Sequence, residues 1–599
     1  MFFRPKFIKG SRLVQLVESY RDAEGRPRQR VIVSLGDVSV PELERKAIAK
    51  AVEMRLRGQD LLIPINLSEK GAGLVTRIVQ LAGRSRSSTP KREIEVVGGV
   101  LIDQIETCDV VQLGPQLAAL EAWQALGISG LLKSHGMSDR SVSTALLMVA
   151  NRLIEPLSEW ALIDWSERTA LPEMLGIRLT KTVKDRLYRT SDQLLSHRKQ
   201  IEKSLRCREQ DLFSLRRSIV LYDVTNTHFE GVCSANPKAK YGKNKQKRND
   251  CCQIAIGMAF DEHGFALAHE VFEGNIGDTS TLEIMLERLD INDGKIKPVV
   301  ILDAGFASEK NVQMLEEREC SYIINITRGS RTKYADHFKA GAFVPLPGRS
   351  PDKEVEVKCI ADPENEKRRL VLCRSAQRCA KERAMISKAE GRFINDADAL
   401  KKRVENGQLK NEAVIHRKVG ALLQKHPRVA RFYTIEYKDC TLVISRKDEK
   451  LDEALSLCGD YVLKTDKSLD ASELWDLYMT LLRAESGFRM LKSSLGLRPN
   501  FHQLEYRVDG HVFISVLAYH LLCWIRHKLE LGGDPREWKT IRRLLGTHSL
   551  LTTSLPLSDG RLISIRKPSI PDAEQERVYT LLGIDWKKKC PIRKTETNM

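Results

Sequence analysis

Two short apolar runs, each closed by an aspartate, constrain the fold of this chain more than any other feature. SIVLYDVT occupies residues 218–225, and PVVILDAG occupies residues 298–305. Runs of this length that are rich in Val, Ile and Leu are typical of strands buried on both faces of a sheet. A carboxylate there is costly to bury unless it binds a metal ion or accepts hydrogen bonds. Asp223 and Asp303 are therefore site candidates, although one Asp at a strand end is usually a turn or cap residue.

Strands and helices alternate around these two runs. Apolar runs at 252–260 and 265–272 flank a turn, residues 279–289 have the pattern of an amphipathic helix, and SYIINIT follows at 321–327. The order strand, hairpin, helix, strand, helix, strand predicts a mixed α/β core with right-handed crossovers.

The chain is too long for one core, because 599 residues correspond to roughly three to five domains. Changes of pattern along the sequence predict six segments: 1–90, a basic hairpin and helical region; 91–217, helical; 218–327, the first part of the core; 328–470, an inserted β-rich subdomain with a helical hairpin; 471–535, the second part of the core; and 536–599, a basic C-terminal region. Segment 91–217 fits a DNA-binding domain and a helical scaffold equally well.

The charge of the chain favours a polyanionic partner. Lys and Arg total 97 and Asp and Glu total 79, so the net charge is 97 − 79 = +18. This excess favours nucleic acid through counterion release, and the alternative is an enzyme that is merely basic. A basic loop between the first two core strands could clamp a DNA backbone or could be simply solvated. Its cations include Lys243, Lys245, Lys247 and Arg248.

Three further features bear on the compartment. The 13 cysteines include no CxxC pair, which predicts no structural zinc and favours a reducing cytosol. The N-terminus has no apolar segment of signal-peptide length. The longest apolar stretch, 511–525, is shorter than the roughly 20 residues that span a bilayer, so we expect a buried helix.

A third acid lies on a long helix predicted over 472–495, with Ser472 as its N-cap. Arg489 and Lys492 follow Glu485 at spacings of four and seven, so the three share one side of that helix. The pattern also fits an ordinary surface helix with a Glu485–Arg489 pair.

Together these segments resemble the DDE transposases of bacterial insertion sequences, specifically the insertion-sequence 4 superfamily and its 1634 group. The segments that carry the resemblance are LYDVTNTHFEG, KYGKNKQKRNDCCQIAIG, FEGNIGD, ILDAGFAS and YMTLLRAESGFRMLKSSLGLRPNFH. The family has an Asp on a first strand, Asp-x-Gly-Phe/Tyr after a later strand, and a Y-x2-R-x3-E-x6-K helix after an insertion. The residues on those positions are Asp223, Asp303, Tyr478, Glu485 and Lys492. The chain departs from the motif at Leu481, which replaces the Arg.

The resemblance implies a ribonuclease-H-like catalytic core with a β-rich insertion, preceded by a helical domain and an N-terminal β-hairpin. It implies that Asp223, Asp303 and Glu485 hold two Mg²⁺ or Mn²⁺ ions per active site. Oxygen ligands suit these ions, and a pair of ions can serve both the attacking and the leaving oxygen of a phosphodiester. The implied reaction is cleavage at insertion-sequence ends followed by strand transfer.

The partner implied is double-stranded DNA, both the terminal inverted repeats and the target. Tyr478, Arg489 and Lys492 would contact it, and a homodimer or larger assembly would form on it in the bacterial cytoplasm, associated with the nucleoid. Asn275, Asp278 and His502 are further polar candidates by resemblance. Two alternatives stay open: a ribonuclease-H-like nuclease that does not join strands, and a non-catalytic DNA-binding derivative of a transposase.

Overall fold

The computed structural model describes residues 1–8, 11–21, 25–36, 38–56, 67–86, 96–180, 184–215, 218–231, 233–242, 248, 250–289, 297–347 and 350–598. The chain forms two compact units. One comprises Met1–Cys108, Thr553–Ile565 and Lys594–Met599, and the other comprises Asp109–Thr552 and Arg566–Arg593. Asp223, Asp303 and Glu485 all belong to the second unit.

The first unit begins with an antiparallel sheet of three strands, β1 (Phe2–Ile8), β2 (Ser11–Arg21) and β3 (Pro27–Ser34). Two helices and a short hairpin follow: α1 (Arg45–Leu56), α2 (Glu69–Arg86), β4 (Val96–Val97) and β5 (Val100–Leu101). The sequence predicted two of the three strands. The third, β1, was missed because its residues Arg4, Pro5 and Lys6 interrupt the apolar pattern, although it pairs with β2 along its whole length.

A strand and seven helices precede the central sheet: β6 (Glu106–Gln112), α3 (Gly114–Ala125), α4 (Ile128–Ser134), α5 (Asp139–Ile154), α6 (Glu159–Ser166), α7 (Leu171–Met174), α8 (Lys184–Ser196) and α9 (Arg198–Phe213). Serine caps begin two of these helices. Ser138 accepts a hydrogen bond from the backbone N–H of Ser141 at the start of α5, and Ser158 accepts one from Ala161 at the start of α6.

The strands of the central region, in chain order, are β7 (Ile219–His228), β8 (Gln253–Phe260), β9 (Ala266–Glu273), β10 (Val299–Leu302), β11 (Ser321–Asn325), β12 (Val344–Pro345), β13 (Val355–Asp362), β14 (Asn365–Ser375), β15 (Tyr433–Lys438), β16 (Thr441–Arg446) and β17 (Asp460–Thr465). Nine of them form one sheet in the order β12-β13-β14-β17-β11-β10-β7-β8-β9. Strand β10 is parallel to both β7 and β11, and β8 runs antiparallel to β7 and β9. The mixed α/β order predicted from the sequence is confirmed.

Helices of this region follow in chain order: α10 (Leu282–Arg288), α11 (Glu309–Glu317), α12 (Ala335–Lys339), α13 (Ala376–Glu405), α14 (Glu412–Lys425), α15 (Pro427–Ala430) and α16 (Asp448–Ser456). Alternate residues of the central strands enter different cores. Leu221 and Ile301 belong to the core that contains Phe488, whereas Tyr222 and Leu302 belong to the core beneath α10 and α11. The sheet is thus covered on both faces.

The segment inserted after β11 contributes to this sheet. Its strands β12, β13, β14 and β17 extend the sheet beyond β11, with β17 antiparallel to β11. Its helices α13 and α14 instead pack with β15 and β16 around a separate core that includes Phe393, Ile415 and Tyr433. The insertion therefore combines a sheet extension with a small helical module.

The rest of the second unit and the end of the chain contain α17 (Ala471–Met479), α18 (Leu481–Ser493), α19 (Glu505–Leu531), α20 (Trp538–Leu545), β18 (Ser549–Pro556), β19 (Arg561–Pro568), α21 (Ala573–Leu582), α22 (Trp586–Lys589) and β20 (Arg593–Asn598). Helix α19 is long and apolar enough to cross a bilayer, but 94% of its most apolar window is buried inside the protein. A core helix is the interpretation that this burial favours.

The single helix predicted over 472–495 is wrong in two respects. The structure has two helices, α17 and α18, separated at Thr480. The Thr480 hydroxyl donates to the carbonyl of Leu477 at 2.6 Å, and such back-bonding bends helices. The N-cap is Asp470 rather than Ser472, because Asp470 and Glu473 form a reciprocal capping box.

Candidate active site

Asp223 and Asp303 lie at equivalent positions on adjacent parallel strands. Tyr222 of β7 pairs with Leu302 of β10, so each aspartate is the next residue after a paired position. Neighbouring strands are about 4.8 Å apart. Asp303 keeps an extended backbone (φ −82°, ψ 170°) before the chain turns through Ala304–Phe306. The two carboxylates predicted from the sequence are therefore neighbours at one sheet edge.

Both carboxylates are on the face of the sheet that α18 covers. Side chains alternate between the two faces along a strand, so Asp223 is on the same face as Leu221, and Asp303 is on the same face as Ile301. Leu221 and Ile301 share a buried core with Ala484 and Phe488 of α18. The backbone N–H of Val224 donates to Asp223 Oδ1 at 2.7 Å, which orients this half-buried carboxylate.

A third strand end adds Asn325, which sequence reasoning missed. Ile324 of β11 pairs with Leu302, so Asn325 is at the same level as Asp303 and on the same face. Asn325 Nδ2 donates to the Tyr478 hydroxyl at 3.0 Å. Burial, with the charge of Asp303 as a further cause, raises the pKa of Tyr478. Tyr478 is thus a neutral phenol beside Asp303. The sequence feature that could have identified Asn325 as a site residue is its position at the end of a third apolar run.

Glu485 is on α18, which runs alongside β7. Phe488 packs edge-to-face against Phe260, the register partner of Leu221, with ring centroids 5.4 Å apart. Beyond the C-terminal end of α18, the hydroxyl of Thr227 on β7 donates to the carbonyl of Leu497 at 3.2 Å. These anchors hold the helix along the face that carries Asp223 and Asp303. Glu485 itself is exposed.

Asp303 and Glu485 are both exposed, and neither side chain makes a hydrogen bond or ion pair to any residue that the structure describes. Carboxylate oxygens are the ligands that Mg²⁺ and Mn²⁺ prefer. Asp223 and Asp303 on this face of the sheet and Glu485 on the helix packed against it are therefore the residues that could hold a divalent cation, although in this structure their carboxylate oxygens do not all lie within 4.8 Å of one another.

The turn after Asp303 brings a fourth acid close to this edge. A Cβ atom at Gly305 would be 2.7 Å from Asp278 Oδ2, so the absence of a side chain there lets the Asp278 carboxylate lie close to this turn. Asp278 is exposed and begins the short helical turn before α10. Asp278 and Asn275 are both candidates by resemblance. Asn275 is also exposed, and its side chain makes no hydrogen bond with a residue that the structure describes.

Lys492 and Arg489 lie further along α18. Lys492 is half-buried, with its ammonium 5.8 Å from the centre of the Phe488 ring. Arg489 is exposed, and its guanidinium pairs with no carboxylate of the described chain. Glu485 and Arg489 do not form the helix ion pair that was the alternative interpretation of this segment. The position of the motif Arg is occupied by buried Leu481.

Part of the basic loop lies outside the described residues, including Lys243, Lys245 and Lys247. Arg248 is described, and its guanidinium binds both carboxylate oxygens of Asp250, with Nε–Oδ1 at 2.8 Å. The start of the loop is tied to the sheet by backbone hydrogen bonds between Lys240 and Gln253 in both directions. The loop thus leaves the sheet from the end of β7 that lies beyond Asp223.

A second polar cluster, apart from these carboxylates, contains Glu159, His502 and His511, whose ligand atoms lie within 4.8 Å of one another. His502 Nε2 is 3.2 Å from Glu159 Oε1. Burial raises the pKa of Glu159, but the hydrogen bond from His502 and nearby positive charges lower it to about 2.

This cluster fits an ion pair better than a metal site. Arg152 Nη2 lies 2.9 Å from His511 Nδ1, and a guanidinium can only donate. Nδ1 of His511 is therefore the acceptor, and the proton of the neutral ring is on Nε2. Neither nitrogen of His511 then offers a free lone pair. His502, a candidate by resemblance, serves here to hold the segment after α18 against α6.

Two protein-family models match this chain. A family model described as "Transposase DDE domain" matches residues 214–521, which is more than half of the chain. A second model, "IS1634 family transposase, N-terminal domain", matches residues 4–60. No curated protein matches the chain. A similar solved structure is the piggyBac transposase synaptic complex with hairpin DNA, at 12% identity and a TM-score of 0.34, with 67% of this chain and 69% of that chain covered.

Proposed function

The chain belongs to the DDE transposase family, and from this premise we propose that Asp223, Asp303 and Glu485 are its catalytic carboxylates. The protein is a DNA transposase of the IS1634 group, and enzymes of this family depend on divalent metal ions. One observation carries the assignment of residues. Asp223, inside β7, and Asp303, just after β10, each follow the last residue pair of the parallel β7–β10 pairing, on the face that α18 covers.

The core of the enzyme is, in this proposal, ribonuclease-H-like. The strand order β9-β8-β7-β10-β11 supports it, with β8 antiparallel to its neighbours and β10 and β11 parallel to β7. A hairpin meander followed by two parallel strands places Asp223, inside β7, level with the ends of β10 and β11. Asp223, Asp303 and Asn325 are then at the same level of three neighbouring strands.

Asp223, Asp303 and Glu485 would hold two Mg²⁺ or Mn²⁺ ions. When bound, such ions activate the attacking oxygen of a phosphodiester displacement and stabilise the leaving oxygen. The donor set is suitable because all three ligands are carboxylates, and two of them are exposed at the edge where DNA can approach.

Tyr478 and Lys492 bind and orient the DNA. Tyr478 is held by Asn325, so its neutral hydroxyl is fixed beside Asp303, where it positions the strand. Lys492, seven residues after Glu485, contacts a phosphate near the cleaved bond as a point charge. The chain itself forms no covalent intermediate, because the nucleophile is water during cleavage and a DNA 3′-hydroxyl during joining.

Isosteric neutral variants of the three acids test this assignment. Asp223→Asn, Asp303→Asn and Glu485→Gln each remove one anionic ligand with little change of shape. Metal-ion stabilisation is worth several kcal/mol, so we expect each variant to cut and join DNA about 1000-fold more slowly than the wild type. The substrates are duplexes from the DNA that flanks the coding region of this chain, assayed with MgCl₂ and with MnCl₂.

Asp476→Asn is the matched control, because Asp476 is an exposed acid of neighbouring α17 outside the proposed site. It should retain wild-type rates. A precleaved end with a free 3′-hydroxyl, supplied with a target plasmid, separates a transposase from a nuclease. Wild-type joining activity that survives in Asp223→Asn would refute the assignment, and hydrolysis without joined product would refute strand transfer by this chain.

The surrounding segments have proposed roles as well. The six segments divided at residues 90, 217, 327, 470 and 535 are, in this proposal, the domains of the protein. Segment 91–217 would either bind DNA or support α19. Two ends must be handled together, so we propose a homodimer or larger assembly on DNA in the bacterial nucleoid. Light scattering of the chain with and without duplex DNA measures the stoichiometry, and one chain per two ends would contradict it.

A further inference from the structure

A pocket of about 430 Å³ lies between α18, α19 and α20, and Ser486 of its lining is the residue that follows Glu485. Met490 and Leu522 line it together with Trp538, and cationic side chains converge on the same space. Its far wall is fixed, because Trp538 Nε1 donates to the carbonyl of Leu153 at 2.8 Å. The pocket is therefore bounded by packed helices on this side.

The charges that line the pocket do not balance. Its cations are Arg489, Arg526, Arg536, Lys539 and Arg542, and its acids are Glu530, Asp534 and Glu537. Two of the cations are neutralised locally.

Arg526 Nη2 is 3.2 Å from Glu530, and Arg536 Nη2 is 2.6 Å from Asp534. Arg489, Lys539 and Arg542 have no ion-pair partner within the part of the chain that the structure describes. Arg542 donates to the backbone carbonyl of Ile154, which holds its guanidinium in place without cancelling its charge. Five cations against three acids leave the lining with a net excess of two positive charges, which favours an anion.

The position of Arg489 connects this pocket with Glu485. Residues of an α-helix are about 100° apart, so Arg489 is rotated by about 40° from Glu485 and lies about 6 Å further along the axis. On the side of Glu485 away from Arg489, the helix is buried against the sheet through Leu481, Phe488 and Leu491. Glu485 thus lies at the boundary between the buried face of α18 and the pocket.

We propose that this pocket binds a backbone phosphate of the DNA strand, close to the phosphodiester held at the three carboxylates. The inference rests on the proposed function and adds a binding site to it. Phosphates follow one another at about 3.4 Å of axial rise along one strand, so a helix step of about 6 Å reaches a linkage within a few nucleotides of the reacting one. Arg489 and Lys539 supply the charges, and Arg542 supplies a fixed donor fork.

Salt-dependent DNA binding tests the proposal without requiring catalysis. The double variant Arg489→Gln/Lys539→Gln removes two exposed cations from facing helices of the pocket. Its Kd for a fluorescent duplex is measured by anisotropy from 50 to 300 mM KCl in EDTA. We expect the slope of log K against log salt to become shallower by about 0.9 for each phosphate released. Lys388→Gln/Arg392→Gln, two exposed cations of α13, is the control and should keep the wild-type slope.

A strand with one neutral methylphosphonate linkage locates the phosphate. The methylphosphonate is placed at successive linkages near the precleaved end, one per duplex. At one of these linkages it should raise the Kd of the wild type for DNA but leave the Kd of the pocket variant unchanged. Equal slopes for wild type and pocket variant would overturn the proposal while the proposed function stands. Failure of the wild type to bind duplex DNA would overturn both.

Orthophosphate binding to the free protein, measured by equilibrium dialysis, separates DNA from a free anion. If the pocket variant loses orthophosphate binding but its DNA affinity keeps the wild-type salt dependence, the pocket binds a small anion and the proposal is refuted. Circular dichroism and thermal unfolding of each variant establish that the fold is retained.

Discussion

At the scale of single residues, Asp261 shows how burial changes the chemistry of an acid outside the proposed site. Its carboxyl group is 3% exposed in the turn between β8 and β9. Oδ1 accepts hydrogen bonds from the backbone N–H groups of His263 at 2.9 Å and Phe265 at 2.8 Å. Burial outweighs these two bonds and raises the pKa of Asp261 to about 7.

This raised pKa predicts a pH-dependent stability. The folded state keeps a proton on Asp261 up to about pH 7, whereas the unfolded chain loses it near pH 4, so the free energy of unfolding falls as pH rises through that window. The decrease is at most about 4 kcal/mol, because each pKa unit corresponds to 1.36 kcal/mol. Asp261→Asn cannot ionise and keeps the accepting oxygen. Thermal unfolding at pH 5 and pH 8 should show a smaller loss for the variant than for wild type, and identical losses would contradict the prediction.

Gly305 gives a second prediction at this scale. In Gly305→Ala the new Cβ would meet Asp278 Oδ2 at 2.7 Å, so the exposed Asp278 carboxylate must move away from the turn after Asp303. We expect at least a tenfold loss of cleavage rate, since misplacement by about 1 Å can cost 100-fold. The midpoint of thermal unfolding should barely change, because Gly305 is exposed. Gly329→Ala, where nothing lies within 4 Å, should leave cleavage at the wild-type rate, and a comparable loss there would rule out this explanation.

At the scale of elements, the break between α17 and α18 separates two tasks. Helix α17 is tied to β17, because Trp475 Nε1 donates to the Tyr461 hydroxyl at 2.6 Å, and it carries Tyr478. Helix α18 packs on β7 and β8 and carries Glu485. The break at Thr480 lets each helix keep its own contacts.

The cap of α17 gives a prediction for this element. Asp470→Ala removes the acceptor of the capping box, which costs about 1 kcal/mol of local stability. Amide exchange of residues 472–475 should then become about fivefold faster, as measured by mass spectrometry. Ser472→Ala is the comparison variant, because it loses the 2.6 Å hydrogen bond from its hydroxyl to Asp470 Oδ2 but keeps the N–H that donates to the cap, so its effect should be smaller. A larger effect for Ser472→Ala would mean that Ser472 is the cap.

At the scale of the whole molecule, α19 connects the sheet of the second unit with the helices before it. It packs on α3, α5 and α8, and it also contacts α18 and β9. Tyr519 donates to the carbonyl of Gly264 at 2.7 Å, and His520 Nδ1 lies 2.7 Å from Glu209 Oε1 of α9. Buried polar contacts of this kind fix the position of α19, because an unpaired partner would be costly.

Metal binding should raise the free energy of unfolding of the second unit, because Asp223, Asp303 and Glu485 all belong to that unit. A ligand that binds only the folded state adds about 2.7 kcal/mol at 100 times its Kd. We expect MnCl₂ or MgCl₂ to raise the midpoint of thermal unfolding of the wild type, and to raise it less in Asp303→Asn. Asp476→Asn should respond as the wild type does. An equal rise in all three proteins would place the stabilising ions elsewhere.

The sequence alone determined the elements and the residue types of the site. Continuous apolar runs predicted β7 to β11 with their bounds nearly correct, because both faces of these strands are covered. The two aspartates stood out because acids inside apolar runs are costly. The family resemblance, confirmed by the family matches, added Glu485 to the set.

Only the tertiary structure decided how these pieces meet. Strand order put Asn325 beside Asp303, and no local pattern encodes which strands become neighbours. The insertion joined the core sheet through β17, because an exposed edge at β11 would otherwise remain unpaired. The break at Thr480 and the cation pocket between α18, α19 and α20 arise from packing between distant segments, and a single sequence records such contacts only indirectly.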